Sequence, residues 1–168
     1  PQHRRQRQMC IRDRLNAIQR DGVPYDLITK SLPTVEGAVN DILAQIVDFS
    51  VVFSMNGKDI DTHIVYDDDR VWSLELSSGM ERFISSLAIR IGLMNVSNLP
   101  QGNFLAIDEG WGTMDSDNLN SVAQLFQYLK SQFQFTFVVS HIETMRDFVD
   151  TLLEIKKIDG SSSVRFSR

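Results

Sequence analysis

Two adjacent carboxylates, Asp108 and Glu109, follow an apolar stretch that begins at Phe104. A short, continuously apolar run is typical of a strand buried on both faces, and the carboxyl ends of such strands are where open α/β sheets bind ligands. In nucleotide hydrolysis the first carboxylate organises Mg²⁺, usually through water, and the second acts as a general base on the attacking water. A strand that ends in a solvated acidic turn would contain the same residues.

Groups further along the chain favour the chemical interpretation. Residues 110–115 form a glycine-bearing loop that ends in another carboxylate, Asp115. A second apolar stretch ends at Ser140 and His141, and a histidine at the end of a neighbouring strand can reach a phosphate in the same crevice. Ser140 and Glu143 also have capping-box spacing, so a helix cap and a ligand-facing His141 are both compatible with the sequence.

A third candidate site precedes the most strongly patterned helix. Ser78 and Glu81 have the spacing of a capping box, with Gly79 between them. A helix start of this kind also presents free backbone N–H groups and a partial positive charge, which suit a phosphate. A plain helix cap explains the same residues, and both interpretations are open at this point.

The elements that must position these residues are predicted from apolar spacing and turn signals. Helices are predicted at 33–47, 79–95, about 117–131 and, as a short one, up to about 149. Strands are predicted at 49–55, 60–66, 71–76, 104–108, 135–140, 151–156 and 163–167, with Asn56-Gly57 as a hairpin turn between the first two. Alternation of strands and helices indicates an α/β fold with parallel core strands, and the earlier antiparallel strands make the sheet mixed.

The first 20 residues differ from the rest in charge. Residues 1–20 carry six arginines and one aspartate, a net charge of +5, whereas residues 21–168 carry 11 basic and 21 acidic residues, a net charge of −10. A protein that holds nucleic acid by bulk charge would have a positive body, so the globular part is not of that class. Apolar residues of the first segment have helical spacing, which predicts the end of a coiled coil or a solvated surface helix: Met9, Ile11, Leu15 and Ile18.

Cysteine content and hydropathy exclude several classes of protein. A single cysteine, Cys10, cannot form an internal disulfide framework or a cysteine-cluster zinc site. No apolar stretch reaches the roughly 18–20 residues that span a bilayer, and no signal-peptide pattern is present. These features predict an intracellular protein without a membrane partner.

Taken together, residues 76–160 resemble the C-terminal lobe of the ABC-type ATPase heads of chromosome maintenance and repair. The resemblance is closest to SMC-like proteins of the SbcC type, the ATPase partner of a double-strand-break repair nuclease. Residues 78–83 resemble the signature motif, 104–109 the Walker B strand, 110–115 the D-loop and 140–141 the histidine switch. The signature departs from the family's Leu-Ser-Gly-Gly at Ser77, in place of Leu, and at Met80, in place of the second Gly.

The resemblance implies a division of the chain and a role for each candidate residue. Residues 1–20 would be the end of a returning coiled coil, and residues 21–168 the C-terminal lobe of an ATPase head that binds ATP and Mg²⁺. In that head Asp108 would organise Mg²⁺, Glu109 would act as the base and His141 would contact the γ-phosphate. The signature residues Ser78, Gly79 and Glu81 would contact the ATP of a second head. The D-loop carboxylate, Asp115, would couple the two sites.

One motif of such a head is missing. A P-loop reads G-x-x-x-x-G-K-[ST], but only Lys58 follows a glycine, and Val52 stands where the first glycine should be. The site therefore requires the N-terminal P-loop lobe of the same head, and the chain alone is expected to be incomplete as an ATP hydrolase. The other implied partners are a second ATPase head, as a homodimer, a nuclease subunit and DNA, and the implied location is the cytoplasm, nucleoid or nucleus. The alternatives are the nucleotide-binding domain of an ABC transporter and a non-catalytic acidic interaction module.

Overall fold

The computed structural model describes residues 15, 17–19, 22–57, 59–67, 70–113 and 119–167. The helices are α1 (Val23–Leu43), α2 (Gly79–Val96) and α3 (Leu119–Gln132), with 3₁₀ segments at Leu74–Leu76, Trp111–Thr113 and Glu143–Phe148. The strands are β1 (Ser50–Asn56), β2 (Asp59–Asp67), β3 (Arg70–Ser73), β4 (Phe104–Asp108), β5 (Phe135–Val139), β6 (Leu152–Ile158) and β7 (Ser161–Ser167). The described strands form an antiparallel sheet β1-β2-β3, a parallel pair β4-β5 and an antiparallel pair β6-β7. The predicted combination of parallel and antiparallel strands is confirmed.

The chain divides into two compact units, one ending at Gln101 and one beginning at Gly102. The first contains α1, α2 and the three-stranded sheet. The second contains the parallel pair β4-β5, α3 and the hairpin β6-β7.

Helix α1 begins well before the predicted position of 33 and ends at Leu43. Gly22 is its N-cap residue, and Pro24 lies in its first turn, where a missing N–H removes no intrahelical bond. Pro33, expected near the helix start, lies inside the helix. The buried residues of α1 all follow Pro33 and lie within the predicted range of 33–47: Val39, Ile42 and Leu43. Apolar spacing therefore located the packed half of this helix and missed the exposed half.

Strands β1 and β2 form the predicted hairpin. Asn56 pairs with Asp59, and Gly57 takes a left-handed conformation with φ of 62°, which suits a residue without Cβ. Strand β3 ends at Ser73, earlier than predicted. The Ser73 hydroxyl there accepts the Glu75 N–H at 3.3 Å and turns the chain into a 3₁₀ segment.

Helix α1 binds both the edge of this sheet and helix α2. The Asn40 amide exchanges two hydrogen bonds with the Val51 backbone, at 2.9 and 2.8 Å, which satisfies groups that an edge strand would leave unpaired. At the helix–helix contact, a Cβ on Gly92 of α2 would lie 2.8 Å from Val39 Cγ2. Glycine therefore allows the close approach of α1 and α2.

Strands β4 and β5 pair in parallel, with Phe104 opposite Phe135 and Asp108 opposite Val139. Ile107 is buried, but side chains on the other face of the pair are exposed: Phe104, Phe135, Phe137 and Val139. Phe135, for example, is 59% exposed. The prediction that these strands are buried on both faces is wrong within this chain, because only one face of the pair is covered.

Three aromatic rings connect the covered side of the second unit. Trp111, just after β4, stacks on Phe126 of α3 at a centroid distance of 5.4 Å, and Phe126 stacks on Phe148 at 5.8 Å. Phe148 ends the segment predicted as a short helix, which is a 3₁₀ helix. The stack therefore links Trp111, which follows β4, through α3 to Phe148, which follows β5.

The predicted coiled-coil seam is described only at its end. Leu15 and Ile18 are exposed, and the Gln19 N–H donates to the Leu15 carbonyl at 3.1 Å, as in a helical turn. Met9 and Ile11 lie outside the described residues. Across the part of the chain that the structure describes, no helix has the length and apolar character needed to cross a membrane.

Candidate functional site

The start of α2 is closed by Ser78 and Glu81, as the capping-box spacing predicted. The Ser78 hydroxyl accepts the Glu81 N–H at 3.2 Å, and the Ser78 N–H donates to Glu81 Oε2 at 2.6 Å. Ser78 Oγ accepts in this bond, so its hydroxyl hydrogen can still donate to a ligand. The first backbone N–H groups of a helix, here those of Gly79 and Met80, have no acceptor within the helix.

Tyr66 of β2 holds the second oxygen of the Glu81 carboxylate. Its hydroxyl donates a hydrogen bond to Glu81 Oε1. Burial raises the pKa of Tyr66 above its usual 10.0, and the hydrogen bond and negative charge of Glu81 raise it further. Burial also raises the pKa of Glu81, but the hydrogen bonds from Tyr66 and Ser78 outweigh that effect and hold the pKa below its usual 4.5. The carboxylate is therefore ionised and held on both oxygens.

Both departures from the family's signature are accommodated by the packing. Ser77, in place of Leu, is only 6% exposed, and its hydroxyl donates to the Leu74 carbonyl at 2.7 Å. Met80, in place of the second Gly, is 4% exposed, so its side chain packs into the core and does not cover the helix start. Arg82 Nη2 also donates to the Ser77 carbonyl at 3.1 Å. Residues 77–82 with Tyr66 are called the signature corner below.

A second group of candidate residues lies where β4 and β5 end. Asp108 is the last residue of β4, and Glu109 follows it with φ of 60°, in the left-handed region that non-glycine residues rarely occupy. The Glu109 N–H donates to the Val139 carbonyl at 3.0 Å, which joins the ends of the two strands. His141 Nδ1 then lies 3.8 Å from Glu109 Oε1. Asp108, Glu109 and His141 are called the strand-end corner below.

The strand-end side chains are largely exposed, Glu109 at 68% and His141 at 76%. The distance of 3.8 Å between their nearest atoms is too long for a direct hydrogen bond. It is short enough for one oxygen atom to lie within about 3 Å of both. The corner can therefore hold a water or phosphate oxygen between a carboxylate and an imidazole.

Two sequence predictions around this corner have different outcomes. Ser140 does not form the capping box with Glu143: its hydroxyl accepts the Ile142 N–H at 3.1 Å, and the following 3₁₀ segment has Ile142 at its N-cap without a side-chain cap. The two-residue turn is the local alternative that serine side chains offer. Asp115 lies outside the described residues, so its predicted coupling role stays a prediction.

Among the described residues, no three His, Cys, Asp or Glu side chains form a group that could hold a metal ion. Asp108 is exposed at the strand end, and a carboxylate oxygen is the type of ligand that Mg²⁺ binds. Mg²⁺ normally keeps several waters and binds one or two carboxylates together with substrate phosphates. The exposed Asp108 carboxylate is therefore of the type that this ion would bind together with a substrate phosphate.

The structure brings the predicted residues together in two sets. Ser78, Gly79 and Glu81 form one, and Asp108, Glu109 and His141 form the other; each set lies within one unit. Sequence reasoning missed Tyr66 as a member of the first set. From the sequence, Tyr66 is only an aromatic residue in a predicted strand. Its functional contact, with Glu81, joins strand β2 to helix α2, and local spacing does not predict such a contact.

No family model matches the chain. Protein R555 of Acanthamoeba polyphaga mimivirus is 34% identical over an alignment of 160 residues, with coverage of 86% of this chain and 12% of that protein. The SbcC component of the nuclease SbcCD from Staphylococcus aureus is 30% identical over an alignment of 123 residues, with coverage of 71% of this chain and 12% of that protein. The chain thus spans about an eighth of the length of these relatives.

The fold has a counterpart among solved structures. A chain from a study of ATP-driven dimerization and DNA-stimulated activation of SMC ATPases matches with a TM-score of 0.68, covering 85% of this chain and 89% of that one. The identity is 17%, so this likeness concerns the fold. Together the sequence and fold comparisons support the resemblance to a C-terminal ATPase-head segment of the SMC-like and SbcC-like type: the chain is similar in sequence to an SbcC subunit and in fold to SMC head domains.

Proposed function

We propose that this chain supplies the hydrolytic residues of an ATPase head that pairs with a second head and acts on DNA. The observation that carries the proposal is the strand-end corner. The Glu109 carboxylate and the His141 imidazole, which follow two different strands, lie 3.8 Å apart, next to an exposed Asp108. This arrangement suits the activation of a water beside a phosphate.

Each residue of the strand-end corner has a distinct part in the proposal. Asp108 would hold Mg²⁺, which when bound neutralises charge on the phosphates. Glu109 would accept a proton from the attacking water. His141 would donate a hydrogen bond to the γ-phosphate. Their exposure supports these parts, because acid–base groups must remain accessible to the substrate.

The signature corner would contact the ATP of the second head. Ser78 can donate its hydroxyl hydrogen, and the N–H of Gly79 lies at the positive end of α2. Glu81 would not meet that phosphate itself, because its carboxylate is ionised and bound to Ser78 and Tyr66. We infer that it acts by fixing Ser78. Asp115 would couple the two sites.

The other partners are proposed from the exposed surfaces and from the relatives. One face of β4-β5 exposes Phe104, Phe135 and Phe137, and an apolar face of this size suits a further part of the same head. We propose the P-loop lobe as that part. A nuclease subunit and DNA, inside the cell, are proposed by analogy with the staphylococcal nuclease component and the SMC ATPases.

The comparisons do not favour the alternatives. A transporter nucleotide-binding domain shares the motif order, but the sequence relative belongs to a nuclease and the fold relative is an SMC ATPase. A non-catalytic acidic module would not need Glu109 next to His141.

The test replaces Glu109 with Gln in a head that contains this chain and its P-loop lobe. Glutamine keeps the shape of the side chain and removes the base, so ATP binding should persist while hydrolysis falls about 10²–10⁴-fold. The ATP-bound pair of heads should then accumulate, measured by size-exclusion chromatography. Glu143→Gln makes the same chemical change at an exposed carboxylate after His141 and should leave turnover unchanged.

Two outcomes would contradict the proposal. If Glu109→Gln abolished nucleotide binding, Glu109 would be a structural residue. If this chain alone, without a P-loop lobe, hydrolysed ATP as fast as the complete head, the site would be complete within the chain and the P-loop lobe would not be required.

A further inference from the structure

The orientation of Ser78 depends on a carboxylate that is itself held from another element. Glu81 Oε2 accepts the Ser78 N–H at 2.6 Å, and Glu81 Oε1 accepts the Tyr66 hydroxyl. A glutamate side chain with one oxygen free can rotate about its terminal torsion, which is broad and weakly restrained. With both oxygens bound, the carboxylate plane is fixed, and so is the amide of Ser78.

Tyr66 is well suited to hold this carboxylate. Its ring lies against Phe49 and Trp72, at centroid distances of 5.4 and 5.6 Å, and the Arg70 guanidinium lies 5.8 Å from the ring centroid. The ring is therefore contacted by neighbours from β3 and from the segment before β1. A ring held by its neighbours presents its hydroxyl in one place, at little further cost in conformational entropy.

We propose that Tyr66 is a positioning residue for the ATP-dependent pairing of heads: its hydroxyl holds Glu81, and Glu81 holds Ser78 in the orientation that meets the nucleotide of the second head. The inference rests on the proposed function and adds a residue outside the four motifs. Tyr66 touches neither nucleotide nor reacting atoms in this arrangement and acts through Glu81.

A second consequence concerns charge. The Glu81 carboxylate is negative and lies beside the helix start that would receive a negatively charged γ-phosphate. Like charges that approach in a partly dry interface repel strongly. The hydrogen bond from Tyr66 draws the carboxylate toward the sheet, and without it the charge is free to turn toward the phosphate. Removal of the Tyr66 hydroxyl should therefore weaken the pairing of heads in two ways. Ser78 would be held less firmly, and the Glu81 carboxylate would repel the γ-phosphate.

The test compares Tyr66→Phe with the parent sequence in a head that contains this chain and its P-loop lobe. Phenylalanine keeps the ring between Phe49 and Trp72 and removes only the hydroxyl. Hydrogen bonds to charged groups change an equilibrium by about tenfold or more. We therefore expect the ATP-dependent association constant of the heads, measured by analytical ultracentrifugation, to fall at least about tenfold. ATP affinity of the separate heads, measured by calorimetry, should change less than about twofold.

Two controls isolate the hydrogen bond. Tyr25→Phe removes the same group from α1 and should leave association unchanged. Tyr66→Phe introduced into a Glu81→Ala head should have no further effect on association, because the acceptor is already absent, so the two changes should be strongly non-additive.

The outcomes separate this inference from the proposed function. If the parent heads do not associate with ATP, the proposed function fails and this inference fails with it. If the parent heads associate and Tyr66→Phe heads associate equally well, only the role of Tyr66 is overturned. Additive effects of Tyr66→Phe and Glu81→Ala, or a Tyr66→Phe chain that does not fold, would also overturn it, because Tyr66 would then act through the fold and not through Glu81.

Discussion

The signature corner and the strand-end corner differ in how far their side chains are bound within the chain. In the signature corner, Ser77, Ser78, Glu81 and Arg82 all form hydrogen bonds to neighbouring groups, and Tyr66 joins them to the sheet. In the strand-end corner, Glu109 and His141 are more than two-thirds exposed and lie just beyond hydrogen-bond distance of each other. The backbone there is fixed instead, through the bond from Glu109 to Val139.

The difference in hydrogen bonding suits two kinds of contribution to a site: donors that are fixed before the ligand binds, and side chains that transfer protons. A helix start that presents backbone and hydroxyl donors works best when its geometry is set before the ligand arrives. Groups that move protons must be available to water and substrate, so they cannot be committed to bonds within the protein. The bonds of the first corner are thus formed within this chain, whereas in the proposed function a nucleotide and further protein would surround the second.

The substitution with the largest expected effect is Ser78→Asp, which tests whether the signature corner contacts a phosphate or is only a helix cap. Aspartate caps helices as well as serine, so the melting temperature of this chain should be nearly unchanged. In a complete head, the added negative charge would face the γ-phosphate of the partner's ATP, at a cost of several kcal/mol. We expect ATP-dependent association and hydrolysis to fall together by about a hundredfold or more, with ATP binding to the separate heads retained.

Ser86→Asp is the matched control, since it adds the same charge to an exposed position of the same helix. It should leave association intact. Normal association and turnover in Ser78→Asp heads would mean that the signature corner is only a helix cap, and the contrast between the two corners would lose its functional meaning.

Local spacing predicted the signature corner well because a capping box is a local structure. Ser78 and Glu81 are three residues apart, and their bonds follow from the helix start itself. Tyr66 could not be found in this way. It lies on β2, and β3 and a 3₁₀ segment separate it along the chain from Glu81. No periodicity within one element encodes such a contact.

The same spacing was less reliable in the second unit. Ser140 and Glu143 match a capping box, but the chain continues as a 3₁₀ segment and Ser140 binds the nearer Ile142 N–H. The apolar composition of β4 and β5 predicted burial on both faces, and one face is exposed. The apolar composition of a strand shows that its faces can be buried, whether by this chain or by another part of a protein. Exposure in this structure depends only on the residues of this chain. The position of both strands, and of His141 near Glu109, was nevertheless predicted.

A smaller effect should follow from Glu81→Ala, measured on this chain by urea denaturation. The change removes two hydrogen bonds to a charged group, and we expect a loss of about 1–2 kcal/mol in the free energy of unfolding at neutral pH. Because the pKa of Glu81 is lower in the folded chain than its usual 4.5, its contribution is fully present above pH 4.5 and is lost as the pH falls through the folded pKa. The difference in stability between parent and variant should therefore shrink below pH 4.5. A difference that stayed constant down to about pH 3 would contradict the charged capping box.

The smallest expected effect concerns backbone strain in the strand-end corner, and it compares Glu109→Gly with Glu109→Ala in this chain. Glu109 has φ of 60°, a region that costs residues with a Cβ roughly 1–2 kcal/mol. Glycine occupies it freely but loses more conformational entropy on folding, by about 0.5–1 kcal/mol. Neither variant has a carboxylate, so their difference reports the backbone alone, and Glu109→Gly should be the more stable by about 0.5–1 kcal/mol in urea denaturation.

The same pair of substitutions at Gln124, an exposed position inside α3, is the control. In a right-handed helix glycine is less stable than alanine by about 1 kcal/mol, so the sign should be opposite. If alanine were also the more stable residue at position 109, the left-handed conformation there would carry no strain. If glycine is the more stable, the strand-end corner keeps a strained glutamate that folding alone does not favour, as expected of a residue retained for chemistry and unlike the relaxed cap of the signature corner.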